Sequence, residues 1–325
     1  MNKRERLQSA IGGEAVDRTP VALWRHFPVD DQRPADLAAA HIEFQNLYDF
    51  DFLKVTPASS FCIKDWGAQD DWRGNPEGTR DYMGRVIQQP NDWYALKPLD
   101  PAQGHLGQQL KTLELIRAGL PKETPIIQTI FSPISQAKNL VGGEALASHL
   151  REHPAELKAG LKDITETTLR FVEAAIKTGI DGIFYAVQLA STRIFSAAEY
   201  GEFGEPYDRQ ILEAAKGLWL NVLHLHGEPV MFDLVAQYPA AVINWHDRET
   251  PPTLAQGQDR FNGAVCGGWR QWETMVLGTP DSVRAEAQDA IAQTGGRRLI
   301  LGTGCVTPTT APRANLRAAR EAVGS

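Results

Sequence analysis

Eight short apolar runs, rich in β-branched residues, recur along the chain, and amphipathic helical stretches separate most of them. The runs are TPVALW (19–24), FLKVTP (52–57), PIIQTIF (125–131), GIFYAVQ (182–188), NVLHLHG (221–227), AVINWHD (241–247), AVCGGW (264–269) and RLILGTGC (298–305). Between the third and fourth, AELKAGLKDITETTLRFVEAAIKTG keeps apolar residues at helical spacing and stops at a glycine. Such alternation implies parallel strands, because each crossover helix returns the chain to start the next strand in the same direction. Eight units in 325 residues predict an α/β chain with a single (β/α)8 TIM barrel domain over 1–325. An open doubly wound sheet is less suited, and no GxGxxG follows the first run to favour dinucleotide binding. Residues 1–18 are expected to form an N-terminal helical cap on the end opposite the mouth. The connection after the second run, 58–124, is too long for a βα loop and is expected to carry extra helices over the mouth.

Composition narrows the partners. A formal net charge of −7 argues against a nucleic-acid or anionic-membrane surface, which selects a basic face. Cys62, Cys266 and Cys305 are odd in number and far apart, a poor disulfide framework that fits a reducing cytoplasm. The first twenty residues lack the apolar region of a signal peptide, and no run approaches the roughly 18 residues of a membrane span. A cytoplasmic protein with a small-molecule substrate is expected.

In barrels of this kind the chemistry sits at the C-terminal ends of the strands. Here those ends are polar: Arg25 and His26 after the first run, Gln128 in the third, Gln188 in the fourth, His224 and His226 in the fifth, His246 and Asp247 in the sixth, Cys305 in the eighth. Residues i and i+2 of a strand share a face, so His224 and His226 emerge side by side. The fifth and eighth strands of a barrel face each other, so Cys305 can meet both histidines. Two imidazoles and a thiolate make an acceptable three-ligand Zn²⁺ set with a fourth position open. Hydrogen-bonded barrel histidines beside a small buried cysteine are the alternative. His246 and Asp247 are adjacent, so they cannot both enter the lumen. Asp247 is a candidate to orient a ligand histidine by accepting its free N–H, or else a partner of Arg248. Arg25 is a candidate clamp for a substrate carboxylate or phosphate, or else a rim salt bridge. Cys266, before two glycines, reads as structural.

Several segments together resemble the uroporphyrinogen decarboxylase superfamily, which includes porphyrinogen decarboxylases and corrinoid-linked, zinc-dependent methyltransferases. RTPVALWRHF is similar to the family's opening strand with its arginine, and TPIIQTIFSPISQAKNLVGG to its third strand, loop and helix. FSAAEYGEFGEPYDRQIL carries the matching Phe203, Pro206 and Tyr207, and LILGTGCVTPTTAPRANLRAAREAV resembles the closing Gly-Cys strand, Pro-rich loop and Asn-bearing helix. The decarboxylases' second arginine has no counterpart in HFPVDDQ, and their acid on the second strand is replaced by Thr56 and Pro57. Asn139 stands where they carry a tyrosine. The methyltransferase branch holds zinc through His-x-Cys on the fifth strand and a cysteine at the end of the eighth. Here those positions are His224, His226 and Cys305.

The resemblance implies a zinc-dependent methyltransferase that acts on a thiol, with Zn at His224, His226 and Cys305 and a corrinoid carried by a partner protein. Arg25, His26, Gln128, Asn139 and His246 are the expected substrate contacts, and Arg25, Gln188 and Asp247 the expected catalytic groups. A polycarboxylate decarboxylase and a non-catalytic corrinoid- or porphyrin-binding barrel are the rivals. The family also suggests a homodimer.

Overall fold

The computed structural model describes residues 1–324. Its strands, in chain order, are β1 (Leu53–Val55), β2 (Asp70–Asp71), β3 (Asp81–Tyr82), β4 (Ile126–Phe131), β5 (Gly182–Val187), β6 (Val222–Leu225), β7 (Val242–Asn244), β8 (Ala264–Trp269) and β9 (Leu299–Thr303). Seven of them form one parallel sheet in the order β1-β4-β5-β6-β7-β8-β9, while β2 and β3 pair as a separate antiparallel hairpin. Sequential strands are thus spatial neighbours, as βα units require. All seven strands are buried on both faces, the mark of a parallel sheet covered by helices.

The first predicted run behaves differently from the other seven. Residues 20–22 exchange backbone hydrogen bonds with Leu301, from Ala22 N–H to Leu301 O at 2.9 Å and from Leu301 N–H to Pro20 O at 2.8 Å. On the other side Asp51 N–H donates to Val21 O at 2.8 Å. The segment therefore lies between the two edges of the sheet, yet it forms a single bridge, Val21 with Leu301, and not a strand. The cause is local: Pro20 has no N–H, and the Val21 N–H goes to the Asp51 carboxylate at 2.7 Å instead of a neighbouring carbonyl.

The helix Lys3–Gly12 is capped by Asn2, which accepts from Glu5 N–H while the Glu5 carboxylate returns the bond. It packs near the N-terminal ends of the strands, where Arg6 pairs with Asp51 at 2.7 Å and Arg4 pairs with Asp181. The long helix Pro154–Lys177 starts with proline at its first position and buries Leu157, Leu161, Ile164, Phe171 and Ala175, one apolar stripe at helical spacing. A β-carbon at its Gly160 would lie 2.3 Å from the Trp93 ring, so glycine there lets the segment Pro90–Ala95 dock against the helix.

The connection after β1 holds the β2–β3 hairpin, the short 3-10 turns Lys64–Trp66 and Pro90–Ala95, and then the helix Gly104–Gly119, which links β1 to β4. Among the described residues no helix is long and apolar enough to cross a membrane.

Candidate metal centre

β6 delivers His224 into the interior, and His226 follows two residues later on the same side. The Cys305 Sγ, just past β9, lies 3.7 Å from His224 Nε2 and 3.5 Å from His226 Nδ1. The three donor atoms all lie within 4.8 Å of one another. Tetrahedral zinc, with Zn–N near 2.0–2.1 Å and Zn–S near 2.3 Å, separates neighbouring N and S ligands by about 3.5 Å. The donor spacing fits that ion.

Asn244, at the end of β7, fixes which nitrogen of His224 is available. Its Nδ2 donates to Cys266 O at 2.9 Å and Thr303 O at 3.0 Å, so its Oδ1 must be the atom facing His224 Nδ1 at 2.6 Å. An oxygen can only accept, which places the proton on Nδ1 and leaves the Nε2 lone pair aimed at Cys305. Burial pushes His224 well below the ordinary histidine range, with His226 and His246 adding to the effect, and burial lowers His226 too. Both imidazoles are therefore neutral at pH 7, the form that binds metal. Replacing Asn244 by leucine should cost about 10–100-fold in zinc affinity, read by competition with a chelator. Unchanged affinity would remove Asn244 from the site.

Beside the triad lies a cavity of about 240 Å³ lined by Trp24, His26, Lys54, Glu77, Thr129 and Gln188, among others. Lys54 comes from β1 and is buried, with Thr56 Oγ1 at 3.3 Å and the Phe184 ring centroid at 4.6 Å. Burial drives its pKa down to about 7, against a smaller upward pull from Cys305. Glu77 arrives from the insertion, on a turn whose Pro76 carbonyl accepts from Thr309 N–H at 2.7 Å.

His26 and Gln188 line the cavity, whereas other candidates turn elsewhere. Trp24 and His26 face inward, so Arg25 between them faces out, with its guanidinium 5.0 Å above the Phe27 ring centroid. Gln128 also points away: its Oε1 accepts from Gln109 on the helix Gly104–Gly119 at 2.8 Å, and Thr129 takes the inward position. Asn139 lies on the helix Pro133–Val141, where its carbonyl accepts from Arg85, and it does not reach the cavity. His246 stands behind the triad, 5.3 Å ring to ring from His226, and its Nε2 has no partner among the described residues. Among the described residues Asp247 makes no hydrogen bond to a histidine. Its Oδ1 accepts from Gly268 N–H at 3.2 Å, burial raises its pKa to about 7, and the orienting role expected of it falls to Asn244.

The family profile described as uroporphyrinogen decarboxylase (URO-D) matches residues 2–325. The methylcobamide:CoM methyltransferase MtbA of Methanosarcina acetivorans is 25% identical over 97% of this chain and 95% of its own length. A uroporphyrinogen decarboxylase of Synechococcus sp. is 23% identical over 96% of this chain and 90% of its own. Among solved structures, a methyltransferase from Methanosarcina mazei superposes with a TM-score of 0.86 at 19% identity, covering 99% of this chain and 98% of that one. That superposition carries the fold, and the profile match covers all but the first residue of the chain: the chain belongs to the uroporphyrinogen decarboxylase (URO-D) family.

Proposed function

We propose that this chain is a zinc-dependent methyltransferase that moves a methyl group from a corrinoid, carried by a partner protein, to the sulfur of a small thiol. The observation that carries the reading is the set of three converging donors with the His224 tautomer fixed for coordination. Zinc bound there would lower the pKa of a substrate thiol, so that the thiolate predominates at neutral pH. In this chain His224, His226 and Cys305 would hold the ion, Asn244 orients His224, and Trp24 and Phe184 form apolar walls of the cavity. Gln188, on the cavity wall, offers a hydrogen bond to the substrate.

The cavity, at about 240 Å³, lies below the usual 300–1,000 Å³ of drug-sized ligand sites and suits a small thiol better than a tetrapyrrole. β1 presents an amine, Lys54, and no carboxylate, which also disfavours pyrrole N–H recognition. We read the molecule as one cytoplasmic domain in which residues 19–24 complete an eight-membered barrel between β1 and β9.

Elemental analysis of tag-free protein tests the reading first, with about one zinc per chain expected. Methylcobalamin is the model donor for the second step, and loss of its methyl–cobalt absorbance should require both zinc and an added thiol. Stoichiometric absence of zinc after reconstitution, or demethylation independent of the thiol, sinks the proposal.

A further inference from the structure

Two opposite charges enter the cavity and neither has an ion-pair partner among the described residues. The Lys54 ammonium is 4% exposed, and its hydrogen-bond partner is the Thr56 hydroxyl at 3.3 Å. The negative group that favours its charged form is the Cys305 sulfur, which belongs to the metal triad, so a buried ammonium retained there points to an anionic group supplied from outside the chain. The Glu77 carboxylate has one oxygen held by Gln271 Nε2 at 2.9 Å, and the other takes no hydrogen bond among the described residues. Lys54 grows from β1 and Glu77 from the insertion, and they form no salt bridge with each other. A ligand with one negative group alone would satisfy Lys54 and face repulsion from Glu77. A ligand with one positive group alone would leave the buried ammonium unpaired.

We infer that the thiol substrate is a zwitterion of the α-amino-acid class, with its carboxylate on Lys54, its ammonium on Glu77 and its sulfur toward His224, His226 and Cys305. The inference deepens the thiol reading of the triad and rests on it for the sulfur, whereas the two charge contacts stand on Lys54 and Glu77. The turn that carries Glu77 is built to hold that carboxylate in place. Asn75 Oδ1 accepts from Glu77 N–H at 2.8 Å, and Thr309 Oγ1 donates to Pro76 O at 2.9 Å. Gly78, at φ +80°, packs so closely that a β-carbon would lie 2.4 Å from His26 Cβ.

Calorimetric titration of the zinc-loaded full chain at pH 6.5, where Lys54 carries its proton, with L-homocysteine, 2-mercaptoethanesulfonate and cysteamine tests this directly. L-homocysteine should bind at least about tenfold tighter than either singly charged thiol, a difference of about 1.4 kcal/mol. Lys54→Met and Glu77→Gln should each weaken L-homocysteine about tenfold or more with zinc content unchanged. Glu77→Gln should strengthen 2-mercaptoethanesulfonate, because a repulsion is removed. Equal binding of all three thiols, or a Glu77→Gln protein with wild-type preference, overturns the inference. Glu77 is half-exposed, so that variant remains informative even if Lys54→Met folds poorly. L-norleucine, which has no thiol, separates the two readings. If it binds as tightly as L-homocysteine with the same dependence on Lys54 and Glu77, the zwitterion site stands and the thiol reading falls. If all thiols bind only with zinc and without regard to either charge, the thiol reading stands and the zwitterion site falls.

Discussion

A His224→Ala protein is expected to hold less than about a tenth of the wild-type zinc after equilibration with a competing chelator. Structural zinc sites in zinc-finger peptides bind with apparent free energies of about 10–16 kcal/mol over four ligands, so one ligand is worth about 3 kcal/mol, or roughly 100-fold in Kd. This site offers three protein donors, and losing one leaves an imidazole and a thiolate that cannot enclose the ion. Cys305→Ala should do the same and also remove the thiolate charge. His226→Cys should keep the metal, because a thiolate replaces an imidazole in the same direction from the strand. The measurement is zinc by plasma mass spectrometry alongside methylcobalamin demethylation, and both should fall together. Full zinc content in His224→Ala would mean the ion sits elsewhere.

Lys54→Met should make the zinc-free protein more stable, and the gain should depend on pH in one direction. Lys54 is lowered from 10.5 to about 7 by burial, so the folded chain binds this proton less readily than the unfolded one. Below about pH 7 both states are charged and the folded state carries the whole desolvation penalty. Between about 7 and 10.5 the folded amine is neutral while the unfolded one is still charged, and the penalty shrinks as pH rises. Above about 10.5 neither is charged and the penalty is gone. At about 1.36 kcal/mol per pH unit the penalty is capped at about 5 kcal/mol. Relaxation around the charge makes about 2–4 kcal/mol the expected gain at pH 6. Methionine suits the exchange because it is unbranched and fills irregular space. Urea unfolding at pH 6 and pH 9.5 reads the difference, and a variant less stable than wild type at pH 6 would show that Lys54 is already paired within the chain.

The convergence of His224, His226 and Cys305 could be read from the sequence because period two is a local property: His224 and His226 share a face whatever surrounds them. Cys305 needed the further fact that the fifth and eighth predicted runs face each other. Parity was the part that failed. In a parallel sheet both faces are buried, so hydrophobic alternation does not say which residues face the interior. Arg25 and Gln128 were therefore placed one position out of phase with Trp24, His26 and Thr129, which line the cavity. Lys54 carried a usable signal, a charged residue in the middle of the apolar run FLKVTP, on the same face as Thr56. Asn244 carried a similar one inside AVINWHD, but a neutral amide reveals its role only through its neighbours Cys266 and Thr303. Glu77 had none, since it lies in a long insertion whose path over the interior is set by tertiary contacts with Thr309 and Gln271.

The 75–79 turn has a consequence for how such a protein diverges. The donors of the triad and Lys54 are borne by the sheet or lie close to its strand ends, with Lys54 and His224 against the Phe184 ring. Glu77 is borne by a surface excursion held through a few polar contacts, and nothing in the sheet depends on which side chain it presents. On the zwitterion reading, the carboxylate contact Lys54 shares the sheet with the three donors, and only the ammonium contact Glu77 lies on a separate stretch of chain. If Glu77 holds the substrate ammonium, a substitution at Glu77, or exchange of the 75–79 turn with that of a relative, changes which headgroup is accepted while His224, His226 and Cys305 stay in place.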